Sequence, residues 1–246
     1  MNIGRRNWAA GVMALLALAA PGPALRAQAT NPPLRQISAE VFELGQVRLD
    51  KAHRTVRFPA RLIMNDGLIE YLLVNSKGKT YESLLKTDAD PCHIQLAMLL
   101  LGAKGAPQTP ALLDAPTVPF HVNRPAGDTN SPPPLAITGD PIAIELAWPV
   151  DGGQKRARAE DCLINLNTKT NASRGSWTFN GSRVVRGTFT AQRDGQIVAL
   201  IDDIDAMVNN PRPGHDNDQI WQINSNALPP LNTPVEVTFQ LEAKEK

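Results

Sequence analysis

Apolar and polar positions alternate along several stretches of this chain, and the alternation predicts its strands. Val56, Phe58, Ala60, Leu62 and Met64 are interleaved with Arg57, Pro59 and Arg61. Near the other end, Val235, Val237, Phe239 and Leu241 are interleaved with Glu236, Thr238 and Gln240. A period of two is the signature of a strand with one buried face. Pro59 has no N–H to give to a ladder, so the first of these is expected at a sheet edge or a bulge. Phe42, Leu44, Val47 and Leu49 predict an earlier strand broken at Gly45. Ile142, Ile144, Leu146 and Trp148 predict another, turned back at Asp151-Gly152-Gly153 into a segment that sets Cys162, Ile164 and Leu166 on one face.

Two stretches depart from simple alternation. Leu68 to Val74 reads LIEYLLV, apolar on both faces, which predicts a central strand covered on each side. Asn65-Asp66-Gly67 before it is a turn signal that predicts a hairpin with the Val56–Met64 strand. After the basic turn Ser76-Lys77-Gly78-Lys79, the stretch Thr80–Leu85 returns as strand or irregular chain. A helix is then predicted from Pro91 to about Leu101, with Asp90 as N-cap, Pro91 at the first helical position and Gly102 or Gly105 beyond its end. Ile94, Leu96, Ala97, Met98 and Leu99–Leu101 make it apolar nearly all round, a pattern that calls for burial on more than one side.

In the second half, strands are expected at Trp177–Asn180, Arg183–Gln192 and Gly195–Ile201, with a single helical turn at Ile204–Val208. Between the halves, residues 105–141 are rich in proline and read as an extended crossover within one architecture. Short strands and frequent turns predict a mainly β (α+β) fold: a sandwich or barrel of short antiparallel strands with one buried helix near 91–101.

The first 29 residues change the picture of where the protein acts. Arg5 and Arg6 precede the apolar run Trp8–Ala20, and Ala27-Gln28-Ala29 follows. A basic start, a short apolar stretch and small residues at the end describe a signal peptide, leaving a single globular domain over 30–246 and a periplasmic or secreted location. No later stretch has the roughly 20 apolar residues of a transmembrane helix. Charge changes little: 25 Lys and Arg against 24 Asp and Glu give no electrostatic pull on nucleic acid.

Candidate chemistry is sparse. Glu70 falls on the apolar face of Leu68, Leu72 and Val74, where a carboxylate has to pair, protonate or open into a cleft. With Lys79 and Glu82 it forms a set that can bind a polar ligand, hold an acid/base pair, or satisfy its own charges as a structural bridge. Cys92 and Cys162 read as a disulfide in an exported chain. Two alternatives stay open: a reactive Cys92, whose thiol pKa the helix start would lower, and plain buried thiols. His215-Asp216-Asn217-Asp218 lacks the spacing of a calcium or zinc site and reads as a solvated turn, and Asp202, Asp203 and Asp205 read as turn caps. No metal site and no cofactor are expected.

Glu70-Tyr71-Leu72-Leu73-Val74, then Gly78-Lys79-Thr80-Tyr81-Glu82-Ser83-Leu84-Leu85, then the Asp-Pro-capped helix ending Leu-Leu-Leu-Gly-Ala-Lys, resemble the YdjY-like family of exported bacterial proteins. Trp177-x-Phe-x-Gly181-Ser182, Asp203, Asn210-Pro211, Trp221 and Leu228-Pro229-Pro230 extend the resemblance over most of the chain. Family members often carry His where this chain has Tyr81, and some bear a ferredoxin-like label. An iron–sulfur cluster takes four ligands, usually Cys, and two cysteines with four scattered histidines do not supply them. The resemblance implies little about activity. The expectation is an exported envelope protein acting as a non-enzymatic binding module for a partner protein or a polar small molecule. The alternative is an envelope enzyme, hydrolytic through Glu70 and Glu82 or thiol-based through Cys92.

Overall fold

The computed structural model describes residues 34–109 and 136–243. The signal-peptide reading, and the crossover apart from its two ends, therefore lie outside the described residues. The fold is mainly β.

The N-terminal alternations form a meander of β1 (Arg35–Gln36), β2 (Val41–Leu44), β3 (Val47–Asp50) and β4 (Thr55–Leu62). Gly45 takes φ 59° and turns the chain between β2 and β3, so the predicted broken strand is a hairpin. Next come β5 (Tyr71–Asn75) and β6 (Ser83–Thr87), and then helix α1 (Pro91–Leu100). Beyond the crossover lie β7 (Asp140–Val150), β8 (Gly153–Arg158), β9 (Leu163–Asn165), β10 (Thr170–Asn171) and β11 (Trp177–Phe179). The chain finishes through β12 (Val184–Val185), β13 (Thr188–Phe189), α2 (Thr190–Asp194), β14 (Gln196–Ala199), β15 (Val208–Asn209), β16 (Trp221–Ile223) and β17 (Pro234–Leu241).

Pairing closes eight of these strands into a ring in the order β4, β17, β7, β11, β15, β14, β5, β6 and back to β4. Closure removes exposed edges from the core and makes it a barrel rather than two facing sheets. The inward residues of each predicted alternation fill it: Val56, Phe58, Ile144, Leu146, Val237 and Phe239 are at most 2% exposed. Phe58 and Phe239 meet edge to face with ring centroids 5.2 Å apart. Every residue of β5 is buried, as its two-sided apolar pattern predicts.

Four expectations about the strands are corrected. β4 is no edge strand: β17 runs along one side of it, while β3 and then β6 share the other. Pro59 sits where the pairing passes from Arg57 opposite β3 to Arg61 opposite β6, so no ladder bond is lost there. The Asn65–Gly67 turn does not make a hairpin, because β6 inserts between β4 and β5, antiparallel to one and parallel to the other. The strands are therefore not all antiparallel, with β14 and β15 forming a second parallel pair. The stretch 183–192 holds the short β12–β13 hairpin and the start of α2 instead of one strand.

The helix is capped as expected, Asp90 Oδ1 accepting the Cys92 N–H at 2.8 Å and Gly102 taking φ 88° just past the end. It is not buried all round. His93, Ile94, Ala97 and Met98 pack inward, while Leu96, Leu99 and Leu100 are 43%, 49% and 39% exposed. A closed barrel already filled by its own strands leaves only its outside for a helix to lie on.

Candidate functional site

The three charged residues singled out in the sequence converge at one end of the barrel. The parallel register sets Tyr71 opposite Ser83, so Glu70 and Glu82, each one residue earlier, enter side by side. The Glu70 N–H donates to the Glu82 carbonyl at 3.0 Å and locks that arrangement. Lys79 is delivered by the turn after β5, where Gly78 and Gly195 touch: a Cβ on Gly195 would lie 2.4 Å from the Gly78 nitrogen. Gly195 also takes φ 85° at the end of α2, so only glycine meets both demands.

Lys79 Nζ then donates to Glu70 Oε2 at 2.6 Å and to Glu82 Oε2 at 3.2 Å. The three side chains are 14–31% exposed, half-sunk but open to solvent. Burial raises the Glu82 pKa, and a hydrogen bond and charge from Glu70 raise it further against the opposing pull of Lys79. Burial pulls Lys79 down, yet the bonds and charges of Glu70 and Glu82 outweigh it and hold the ammonium above its ordinary range. The result is a carboxyl pair around one fixed cation, with one negative charge in excess when both carboxyls are ionised.

A second layer lies beneath. Lys79 Nζ sits 5.7 Å from the centre of the Tyr71 ring, and the Tyr71 hydroxyl donates to Asp203 Oδ2 at 3.0 Å. Burial, foremost, lifts the Asp203 carboxyl to about 6, and burial with the Asp203 charge lifts the Tyr71 phenol well above its usual value. The Asp205 N–H donates to Asp203 Oδ1, and Asn209 donates to Asn180 Oδ1 and to the Asp203 carbonyl, each at 2.9 Å. Arg183, wholly buried, grips Asp205 through two nitrogens at 2.7 and 3.1 Å. Sequence reading took Asp203 and Asp205 as turn caps; that they are buried partners of Tyr71 and Arg183 was not foreseen. A buried arginine 22 residues from its carboxylate leaves no local spacing to detect.

The remaining candidates separate. Cys92 and Cys162 are free thiols, so the disulfide is absent from this structure. Cys92 lies in the first turn of α1, and Cys162 ends a 3-10 turn (Ala159–Cys162) that packs against β8 and β9. Burial and the Asp90 charge raise the Cys92 pKa, opposite to what a helix-activated nucleophile needs, and burial pushes Cys162 up to about 12. His215 Nδ1 meets Asp202 Oδ1 at 2.7 Å in its loop. Among the described residues no group of three or more His, Cys, Asp or Glu is placed to hold a metal ion, and no helix is long and apolar enough to cross a membrane.

A family model described as the YdjY domain matches residues 47–240. No curated protein and no solved structure matches the chain.

Proposed function

This chain belongs to the YdjY domain family, and we propose that it is an exported, non-enzymatic envelope module that binds a polar ligand or partner through Glu70, Lys79 and Glu82. The observation that carries the reading is the meeting of two carboxylates on one lysine at a solvent-open barrel end. Two carboxylates around one lysine leave the cluster one negative charge in excess when both are ionised, and that charge favours a cationic ligand, of which a protonated amine is the simplest. Arg5-Arg6, the Trp8–Ala20 run and Ala27-Gln28-Ala29 support export.

Calorimetric titration of the full chain with glucosamine, against N-acetylglucosamine as the neutral control, tests the amine. Binding of the amine is expected to weaken about tenfold in the Glu70→Gln/Glu82→Gln variant and to strengthen in Lys79→Met, which uncovers both carboxylates. Equal binding in all three proteins, or a large fall in melting temperature with binding intact, would return the cluster to a structural bridge.

The hydrolytic alternative keeps one observation in its favour, the raised Glu82 carboxyl beside Glu70, an arrangement suited to a general acid. The thiol-based alternative has the Cys92 shift against it.

A further inference from the structure

We propose that the outer face of β3, β4 and β17 holds a second site, for a small polyhydroxylated ligand bearing an oxyanion, gripped by Arg48 and Arg57. None of the residues lining it belongs to the Glu70 cluster.

The antiparallel register sets Arg48 of β3 directly opposite Arg57 of β4, and both point away from the core. Like charges at directly opposed positions destabilise a sheet, so this pair works against the fold unless something negative comes between the two guanidinium groups. Among the described residues neither arginine forms an ion pair. Two neighbouring carboxylates are engaged elsewhere. Glu43, opposite Arg48 on the β2 side, is held by Arg35. Asp50, close enough for the Arg57 charge to lower its pKa, is lowered first by the His53 backbone N–H and bonds the His53 ring at 2.8 Å. Arg57 Nε is shut off from solvent and meets no acceptor among the described residues.

The arginines open into a groove of about 420 Å³, within the range of small-ligand sites. Pro59, Pro149 and Pro234 contribute to its walls, rigid apolar surface with no N–H to satisfy, and Gln46 and Gln154 add amide groups. Glu236, opposite Pro59 in the ladder, also lines the groove and forms no ion pair among the described residues. It repels a second negative charge and accepts hydroxyls, which fixes the ligand's polarity: oxyanion on the Arg48–Arg57 side, hydroxylated body toward β17. Planar guanidinium forks suit carboxylate and phosphate alike. A sugar acid and a sugar phosphate therefore share the required chemistry.

The test is nitrogen–proton NMR of the full chain, following the Arg48 and Arg57 side-chain Nε–Hε signals through titration with glucuronate, glucose 6-phosphate and glucose. Either acidic sugar is expected to shift both signals saturably while glucose does not, and the stronger of the two identifies carboxylate or phosphate as the preferred group. Arg57→Gln and the exposed Arg48→Gln should each weaken binding about tenfold, the loss of one charge-assisted fork. Glu70→Gln should leave it unchanged. Relief of the like-charge pair predicts that Arg48→Gln melts no lower than the parent, so lost binding there cannot be ascribed to unfolding. No saturable shift with either acid, equal shifts with glucose, or undiminished binding in Arg48→Gln would each overturn the site.

Discussion

Two clusters of three alternating charges stand in this molecule, and their surroundings give them opposite meanings. At the barrel end, Glu70, Lys79 and Glu82 form an acid–base–acid set that is partly open to solvent. In the second half of the chain, Arg158, Glu160 and Arg212 form the reverse, base–acid–base, around a glutamate side chain with 0% exposure. Glu160 Oε1 accepts Arg212 at 2.8 Å, Arg158 at 3.1 Å and the Gly175 N–H at 3.3 Å. Arg212 also donates to the Ser173 and Gly175 carbonyls and to Asn210 Oδ1, and its guanidinium lies 4.7 Å from the centre of the Trp177 ring. Every arm of Arg212 is occupied and Glu160 is sealed in, so the centre of that set holds loops together. The first set lies partly open to solvent, with its three side chains 14–31% exposed. Charge pattern alone does not mark a site; the access of its central group to solvent separates the two.

The sharpest way to break this comparison is to remove the centre of each cluster. Glu160→Ala would leave the buried Arg212 without its carboxylate beside Arg158 and is expected to cost about 3–5 kcal/mol, read by denaturant unfolding. Lys79→Met, in the half-exposed cluster, is expected to cost about 1 kcal/mol or less, because solvent screens what remains. Similar losses at the two positions would erase the distinction between them.

Between these extremes lies the pH response of the layer under Lys79. The Asp203 carboxyl titrates at about 6 in the fold against an ordinary 3.8, so the folded state holds its proton more tightly than the unfolded chain. The native state is therefore favoured at low pH, and this contribution is lost as pH rises through the interval between those values. Asp203→Asn removes the titration. Its melting temperature relative to the parent should rise as pH goes from about 4 to neutral, whatever the absolute offset from the altered bond to Tyr71. A constant difference across that range would mean that Asp203 carries no buried titration.

How far the site was legible follows from the range of each cue. The alternations of β4, β7 and β17 and the cap of α1 depend on residues a few positions apart, and they read correctly. The hairpin at Asn65–Gly67 did not, since the partner β5 takes is β6, which the chain has yet to reach at that point. The apolar circumference of α1 suggested enclosure, but a barrel packed by its own strands had no interior to offer it. Glu70 stood out because a carboxylate on an apolar face is costly wherever it lies. Arg48 and Arg57 did not stand out, because each is an ordinary outward position of its own strand and only register makes them a pair.

The sequence by itself determined the strands with one buried face, the capped helix, and Glu70, Lys79 and Glu82 as the residues to watch, because periodicity and capping are local properties of the chain. The tertiary structure alone decided that the barrel closes through β4 and β6, and it sets Cys92 on α1 and Cys162 in the turn between β8 and β9. It also decided that parallel entry of β5 and β6 brings two glutamates onto one lysine. Those outcomes depend on which strands become neighbours, and neighbourhood in a closed sheet is set by the packing of the whole core rather than by any one segment.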